Sequence, residues 1–313
     1  NMNKLKKIGL TALAGSLVAT AGFAAEMSVT GGATLYFTGG DKIATGNGWT
    51  MNDDIVFAAS GELDNGWNVS TSFKLDNGDG KAGQVLDNRS IAIDMDTAGT
   101  LTFVGHAGDG VIAATDDKMP AAYEESWYGA TGPGKGASTS NMWSYVNTMV
   151  DGVKVSATYV PSGTAEVTGS TEYGLEYTGY DGLLVGFASG TDVGAGAASE
   201  VDNTNMYVTY AYGAATVGYQ TNSSDSKVAD ADTDFTAMAV SYAVNEDLSV
   251  SLSNSKVDYQ GNVNDQESTA VGVSYTMGSM TLAGSHHKHE NAGGLATASA
   301  DRSTYELSLG FAF

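Results

Sequence analysis

The sequence predicts an all-β fold, a transmembrane antiparallel β-barrel of about sixteen strands. Three observations carry that expectation. The chain ends on a strand that alternates with little error: Tyr305, Leu307, Leu309, Phe311 and Phe313 fall on one face, and Thr304, Glu306, Ser308, Gly310 and Ala312 on the other. A period of two marks a strand with one face in an apolar medium and one in a polar medium. Tight turns and long polar loops also alternate along the whole chain. Finally, beyond the N-terminal segment no run approaches the roughly 18 apolar residues of a spanning helix. Only a closed barrel then satisfies every backbone group in lipid.

The first 24 residues read as a secretory signal peptide. Lys4, Lys6 and Lys7 form a basic n-region, Ile8 to Phe23 is an apolar, small-residue stretch, and Gly22, Ala24 and Ala25 supply a small-residue exit. Residues 25–313 then form a single domain, with no linker or shift in composition.

Seven tight turns are expected, at Leu63-Asp64-Asn65-Gly66, Thr97-Ala98-Gly99, Asp151-Gly152, Asp181-Gly182, Tyr212-Gly213-Ala214, Asn245-Glu246-Asp247 and Gly278-Ser279. Asn-Gly and Asp-Gly favour hairpins because both residues tolerate positive φ. Longer polar stretches fall at about 39–48, 76–84, 107–140, 161–171, 190–202, 222–233, 260–266 and 288–301. Fifteen connections join sixteen strands, in the short-turn, long-loop layout of an even-stranded membrane barrel.

The segments between them alternate. Trp67, Val69, Thr71 and Phe73 oppose Asn68, Ser70, Ser72 and Lys74; Leu248, Val250 and Leu252 oppose Ser249, Ser251 and Ser253; Val271, Val273, Tyr275 and Met277 oppose Gly272, Ser274 and Thr276. The polar face has few large apolar side chains and would not pack as a sandwich core. Trp49, Tyr128, Trp143, Tyr159, Tyr180, Tyr212, Tyr242, Tyr259 and Tyr305 lie near strand ends, where aromatic girdles meet the membrane interfaces. Sixteen strands leave an aqueous lumen rather than a filled core.

Composition narrows the function. With no Cys there is no disulfide framework or thiolate chemistry. The formal net charge is −22, and loss of the three signal-peptide lysines leaves 11 Lys and Arg against 36 Asp and Glu. Such a chain does not bind nucleic acid through phosphates, whereas a negative lumen concentrates cations. The mean hydropathy of −0.12 fits a membrane barrel, because its two faces cancel.

No motif points to catalysis. Ser285 and His286 are adjacent and so lie on opposite faces of a strand, and no Gly-x-Ser-x-Gly or His-Glu-x-x-His occurs. His286, His287, His289 and Glu290 are the best metal-like group, but no second ligand group has recognisable spacing, and a solvated strand end explains them better. Asp76 and Asp79, in Asp76-Asn77-Gly78-Asp79-Gly80, are weak candidates for loop-bound Ca²⁺ without the EF-hand spacing. No other cofactor is expected.

The closing Leu309-Gly310-Phe311-Ala312-Phe313, the opening Glu26-Met27-Ser28-Val29-Thr30-Gly31, and Arg89-Ser90-Ile91-Ala92-Ile93 followed by Gly99-Thr100-Leu101-Thr102-Phe103-Val104-Gly105 resemble the general diffusion porins of Gram-negative bacteria, especially the alphaproteobacterial type. The resemblance implies a homotrimer in the outer membrane, in contact with its lipid and lipopolysaccharide, that passes small hydrophilic solutes and ions passively. It implies a third loop folded into the lumen, whose acidic residues face basic residues on the wall. Here that loop holds Asp109, Asp116, Asp117, Glu124 and Glu125. The wall departs from the family: His106 stands where an Arg is frequent, and Met142 at another basic position. The remaining wall candidates are Lys74 and Arg89. Arg89 shares parity with Ile91 and faces the lumen only across a bulge, and Lys154 lies low, beside a turn. A cation-preferring pore is expected. The rivals are a substrate-selective channel of the same fold, which would need a solute ladder in the lumen, and a plugged adhesin or structural barrel. Tyr36 and Tyr207 are inward candidates but make no ladder.

Overall fold

The computed structural model describes residues 26–41, 48–76, 86–137, 140–163, 168–194, 199–261 and 264–313. The segment read as a signal peptide lies outside them, as do Asp79 and the side chain of Asp76.

Sixteen antiparallel strands close into one barrel, each paired with its chain neighbours. They are β1 (Glu26–Gly40), β2 (Trp49–Glu62), β3 (Asn68–Asp76), β4 (Leu86–Asp94), β5 (Thr100–His106), β6 (Met142–Val150), β7 (Val153–Val160) and β8 (Ser170–Tyr177), then β9 (Leu183–Asp192), β10 (Val201–Tyr212), β11 (Ala215–Ser226), β12 (Thr233–Ala243), β13 (Leu248–Tyr259), β14 (Gln266–Met277), β15 (Met280–Glu290) and β16 (Arg302–Ala312). Every expected tight turn falls between two strands, and the expected polar stretches fall at the other connections. The positive φ of Gly66, Gly152, Gly182, Gly213 and Gly278 shows the turn chemistry that marked them.

Closure pairs β1 with β16 from Gly32↔Ala312 to Gly40↔Thr304. The Gly31 N–H donates to the Phe313 carbonyl at 2.8 Å, and the Phe313 N–H returns to the Gly31 carbonyl at 2.9 Å. The fifteen-residue β1 outreaches β16, so its first residues pair with β2 alone.

The wall is inverted relative to a soluble protein. Ser251, Ser253 and Ser255 of β13 are buried while Val250 and Leu252 are exposed; on β16, Thr304, Glu306 and Ser308 are buried while Tyr305 and Leu307 are exposed. Exposed apolar residues form the belt that faces lipid. Leu252→Arg, in the middle of β13, is therefore expected to destabilise the barrel by about 2–4 kcal/mol in urea-dependent folding into lipid vesicles.

The girdle assignment holds for Trp49, Trp143, Tyr159, Tyr180, Tyr212, Tyr242 and Tyr305, all exposed. It fails for two residues. Tyr128 lies in the 107–141 connection and donates to Glu306. Tyr259 packs with Trp127 against a cluster of Met119, Phe235, Ala237, Ala239 and Val257. Proximity to a strand end does not say which side of the wall a ring occupies.

Candidate functional site

The connection between β5 and β6, residues 107–141, is tied to the buried face of β7 to β16 by polar side chains spaced round the wall. Glu172 on β8 holds both ends. Its Oε2 accepts from the Ile112 N–H at 3.1 Å and the Thr158 hydroxyl at 2.8 Å, and its Oε1 accepts from the Ala137 N–H at 2.8 Å. Asn205 on β10 donates to the Ile112 carbonyl and to Thr115 Oγ1, at 3.0 and 2.9 Å. Gln220 on β11 accepts from the Lys118 N–H at 2.9 Å and donates to the Asp116 carbonyl. Ser251 on β13 accepts from the Ala122 N–H at 2.9 Å, and Gln266 on β14 brackets Thr131, accepting from its N–H and donating to its carbonyl. Glu306 on β16 accepts from the hydroxyls of Tyr123 and Tyr128. Small residues leave room beneath the connection: a Cβ at Gly218 would meet Pro120, and one at Gly272 would approach Tyr123 and Ala122.

The five acidic candidates lie on this connection and act on one another. Burial pushes the Asp116 carboxyl up to about 7, helped by repulsion from Asp117 and opposed by Lys135. Burial and then the charge of Glu306 push Glu124 up to about 7. Asp117 and Glu125 hydrogen-bond to each other, and burial raises both. One proton shared between two buried carboxyls removes the repulsion between them. Asp109 is exposed and adds its charge beside Asp116. Burial, then the hydrogen bonds to Glu306, also push the Tyr123 and Tyr128 hydroxyls up, so both stay protonated donors.

The basic candidates meet carboxylates of their own. Lys74 Nζ lies 3.8 Å from Asp54 Oδ2, and His106 Nδ1 lies 2.6 Å from Asp87 Oδ1. Arg89 is placed elsewhere. A register irregularity does occur in β4, next to Asn88 with its φ of 45°. Asn88 and Arg89 together fall between the Ser72–Ser90 and Lys74–Asp87 pairs, and against β5 a second shift falls between Arg89 and Ser90. Arg89 is exposed like Ile91 and lines a groove with Phe73, Phe103 and Asn141.

His287 and His289 share the buried face with parallel rings, 6.1 Å between centroids, each held by a serine hydroxyl: Ser285 at 2.8 Å and Ser268 at 2.9 Å. His286 and Glu290 point the other way. His287 and His289 are packing residues under the connection, with the Tyr128 ring tilted against His287 at 5.5 Å between centroids.

Sequence reasoning missed the anchors Glu172, Asn205, Gln220 and Glu306, and the cations Lys118 and Lys135 on the connection itself. Alternation placed the anchors on the polar face, but no local pattern separates an anchor from any other polar residue there.

A closed sixteen-stranded barrel with an apolar exterior and a polar interior is an integral membrane channel of the outer-membrane type. The chain belongs to the Gram-negative porin family, whose sequence profile matches residues 9–294 and 221–313. No curated protein matches it in sequence. Among solved structures it is similar to OmpT, an outer membrane protein of Vibrio cholerae in its trimer form, with a TM-score of 0.70 and 14% identity over 93% of this chain and 100% of that one. It is also similar to the anion-selective porin of Comamonas acidovorans, at 0.67 and 14% over 92% and 100%. An engineered Rhodopseudomonas blastica porin scores 0.68 at 15% identity, over the same shares. At these identities the likeness is one of fold.

Proposed function

We propose that this protein is a general diffusion porin that passes small hydrophilic solutes and prefers cations. The observation that carries this reading is the 107–141 connection, which is hydrogen-bonded to polar side chains on the buried face of β8, β10, β11, β13, β14 and β16. The pore is the space beside it. Its loop side carries Asp109, Asp116, Asp117, Glu124 and Glu125. Its wall side offers Lys74 and His106, each beside a carboxylate, and no free Arg89. Paired cations project little field into the lumen, so the acidic loop sets the sign.

The same reading places the short turns in the periplasm, the long loops outside the cell and three copies of the chain in the assembly. The trimer form of the Vibrio cholerae protein and the small residues Gly31 and Ala33 on β1 support the last point. An exported chain that loses residues 1–24 completes the picture, with outer-membrane lipid and lipopolysaccharide around the apolar belt. The name of the Comamonas acidovorans porin shows that a barrel of this shape can also select anions, so the preference here rests on side chains.

Purified protein in planar bilayers tests all of this. Open, non-saturating single channels with reversal potentials of cation sign in a salt gradient are expected. Saturation by one solute would favour the selective-channel rival, absence of conductance the plugged barrel, and anion sign would overturn the preference.

A further inference from the structure

Residues 123–131 of the connection rest on two histidines that have no exposed surface. His287 and His289 are both 0% exposed. Each ring engages one serine, His287 Nε2 with Ser285 at 2.8 Å and His289 Nδ1 with Ser268 at 2.9 Å. The other two nitrogens, His287 Nδ1 and His289 Nε2, are buried without a hydrogen bond. So are Ser126 Oγ above them and Thr304 Oγ1, on the strand partner of His287. The Tyr128 ring lies 5.5 Å from that of His287, and a Cβ at Gly129 would lie 3.9 Å from Thr304 Oγ1. The segment is clamped at its flanks. Tyr123 and Tyr128 donate to Glu306, and Arg302 donates to the Gly129 carbonyl.

The surroundings suit neutral rings. From β16, Arg302 is the strand partner of His289, and both Glu306 oxygens are taken by the two tyrosines. From the connection come the Tyr123 and Tyr128 hydroxyls, and Glu124, whose charge acts on that of Glu306. β13 and β14 bring only Ser255, Val257, Gln266, Ser268 and Ala270, and His286 stands on the outer face of β15. Among the described residues neither ring has a carboxylate in ion-pair reach. An imidazolium carries two N–H donors, and each ring here has one serine oxygen. Two such charges with ring centroids 6.1 Å apart would also repel each other, in a layer closed to water.

We propose that His287 and His289 form an acid-sensitive latch for residues 123–131 of the connection. While both rings are neutral, the segment stays seated on the wall. Release of the segment lets water reach the rings, and each takes up one proton from solvent. A free imidazole titrates near about pH 6.5, so acidification draws the equilibrium toward the released state. Up to two protons are bound per release. The freed segment leaves Glu306 and moves beside the lumen. For its effect on current the latch rests on the channel reading above; the seating itself does not.

Hydrogen exchange of the full chain, folded in detergent, reads the latch directly between pH 7 and pH 4. Amide protection of residues 123–131, corrected for the intrinsic rate, is expected to fall by up to about a hundredfold per pH unit, the limit for two protons. His287→Gln and His289→Gln each remove one titrating ring and keep a polar group. Each should reduce that slope to at most about tenfold per unit. His286→Gln, on the outer face, should leave it unchanged. In planar bilayers the same acidification should add rapid current fluctuations to the intact protein and to His286→Gln, and fewer to the other two variants. Protection of this segment that does not fall with pH in the intact protein overturns the latch, whether or not a variant folds. A slope that both inner-face Gln variants retain overturns it too. The expected exchange with no conductance at any pH would uphold the latch and overturn the channel reading.

Discussion

Glu172→Ala is expected to free the two ends of the 107–141 connection. The Glu172 side chain is 1% exposed, and its carboxylate accepts three hydrogen bonds, from two backbone N–H groups of the connection and from Thr158. Removing it leaves three buried donors without their acceptor, at about 1–3 kcal/mol each. Collapse round a smaller residue and entering water recover part of that, so a net loss of about 3–6 kcal/mol is expected. It should appear as a lowered urea midpoint of the folded barrel in detergent and as noisy current with larger, fluctuating openings. Glu172→Gln, which keeps one oxygen but adds a donor facing the Ile112 or Ala137 N–H, should fall between. A quiet channel of unchanged stability in Glu172→Ala would mean that the other anchors suffice.

Cation preference is expected to strengthen steeply between pH 5 and pH 9. Asp116 and Glu124 are pushed up to about 7, and the Asp117–Glu125 pair is raised, burial being the largest cause for each. At pH 5 Asp116, Glu124 and Glu125 are largely neutral. At pH 9 they are charged. Reversal potentials in a fixed salt gradient, measured across this range, should therefore move toward the cation limit as pH rises, with the change centred near 7. Stability moves the other way. Their folded values lie above the ordinary carboxylate range, so the folded protein binds more protons than the unfolded chain between about 4 and 7. Stability then falls as pH rises through that window. A reversal potential that is flat from pH 5 to pH 9 would show that these carboxyls do not face the permeating ions.

Much of the barrel was legible in the chain because membrane strands repeat one local rule. The alternation of Leu248, Val250 and Leu252 with serines needs no partner to be recognised, and Asp181-Gly182 forms its turn from its own φ preferences. Strand count and the exposed face followed from such local facts. Tyr128 and Tyr259 show where the rule stops. Both sit near strand ends, yet Tyr128 reaches β16 across 178 residues of sequence, and Tyr259 packs under the loop. Arg89 shows a second limit: its face hung on where an irregularity fell, and a one-residue displacement of a bulge exchanges the two sides of a strand.

By itself the sequence determined the sixteen strands, their turns, the closing strand at Phe313 and the acidic balance of the long third connection, because each depends on residues close together in the chain. Tertiary structure alone decided what that connection rests on and which charges remain unpaired. Glu172, Gln220 and Glu306 become anchors, and Lys74, His106 and Lys154 become paired, only once closure brings the strands round a common lumen. Long-range electrostatic and hydrogen-bonding partners are set by that closure, and no period in the chain encodes them.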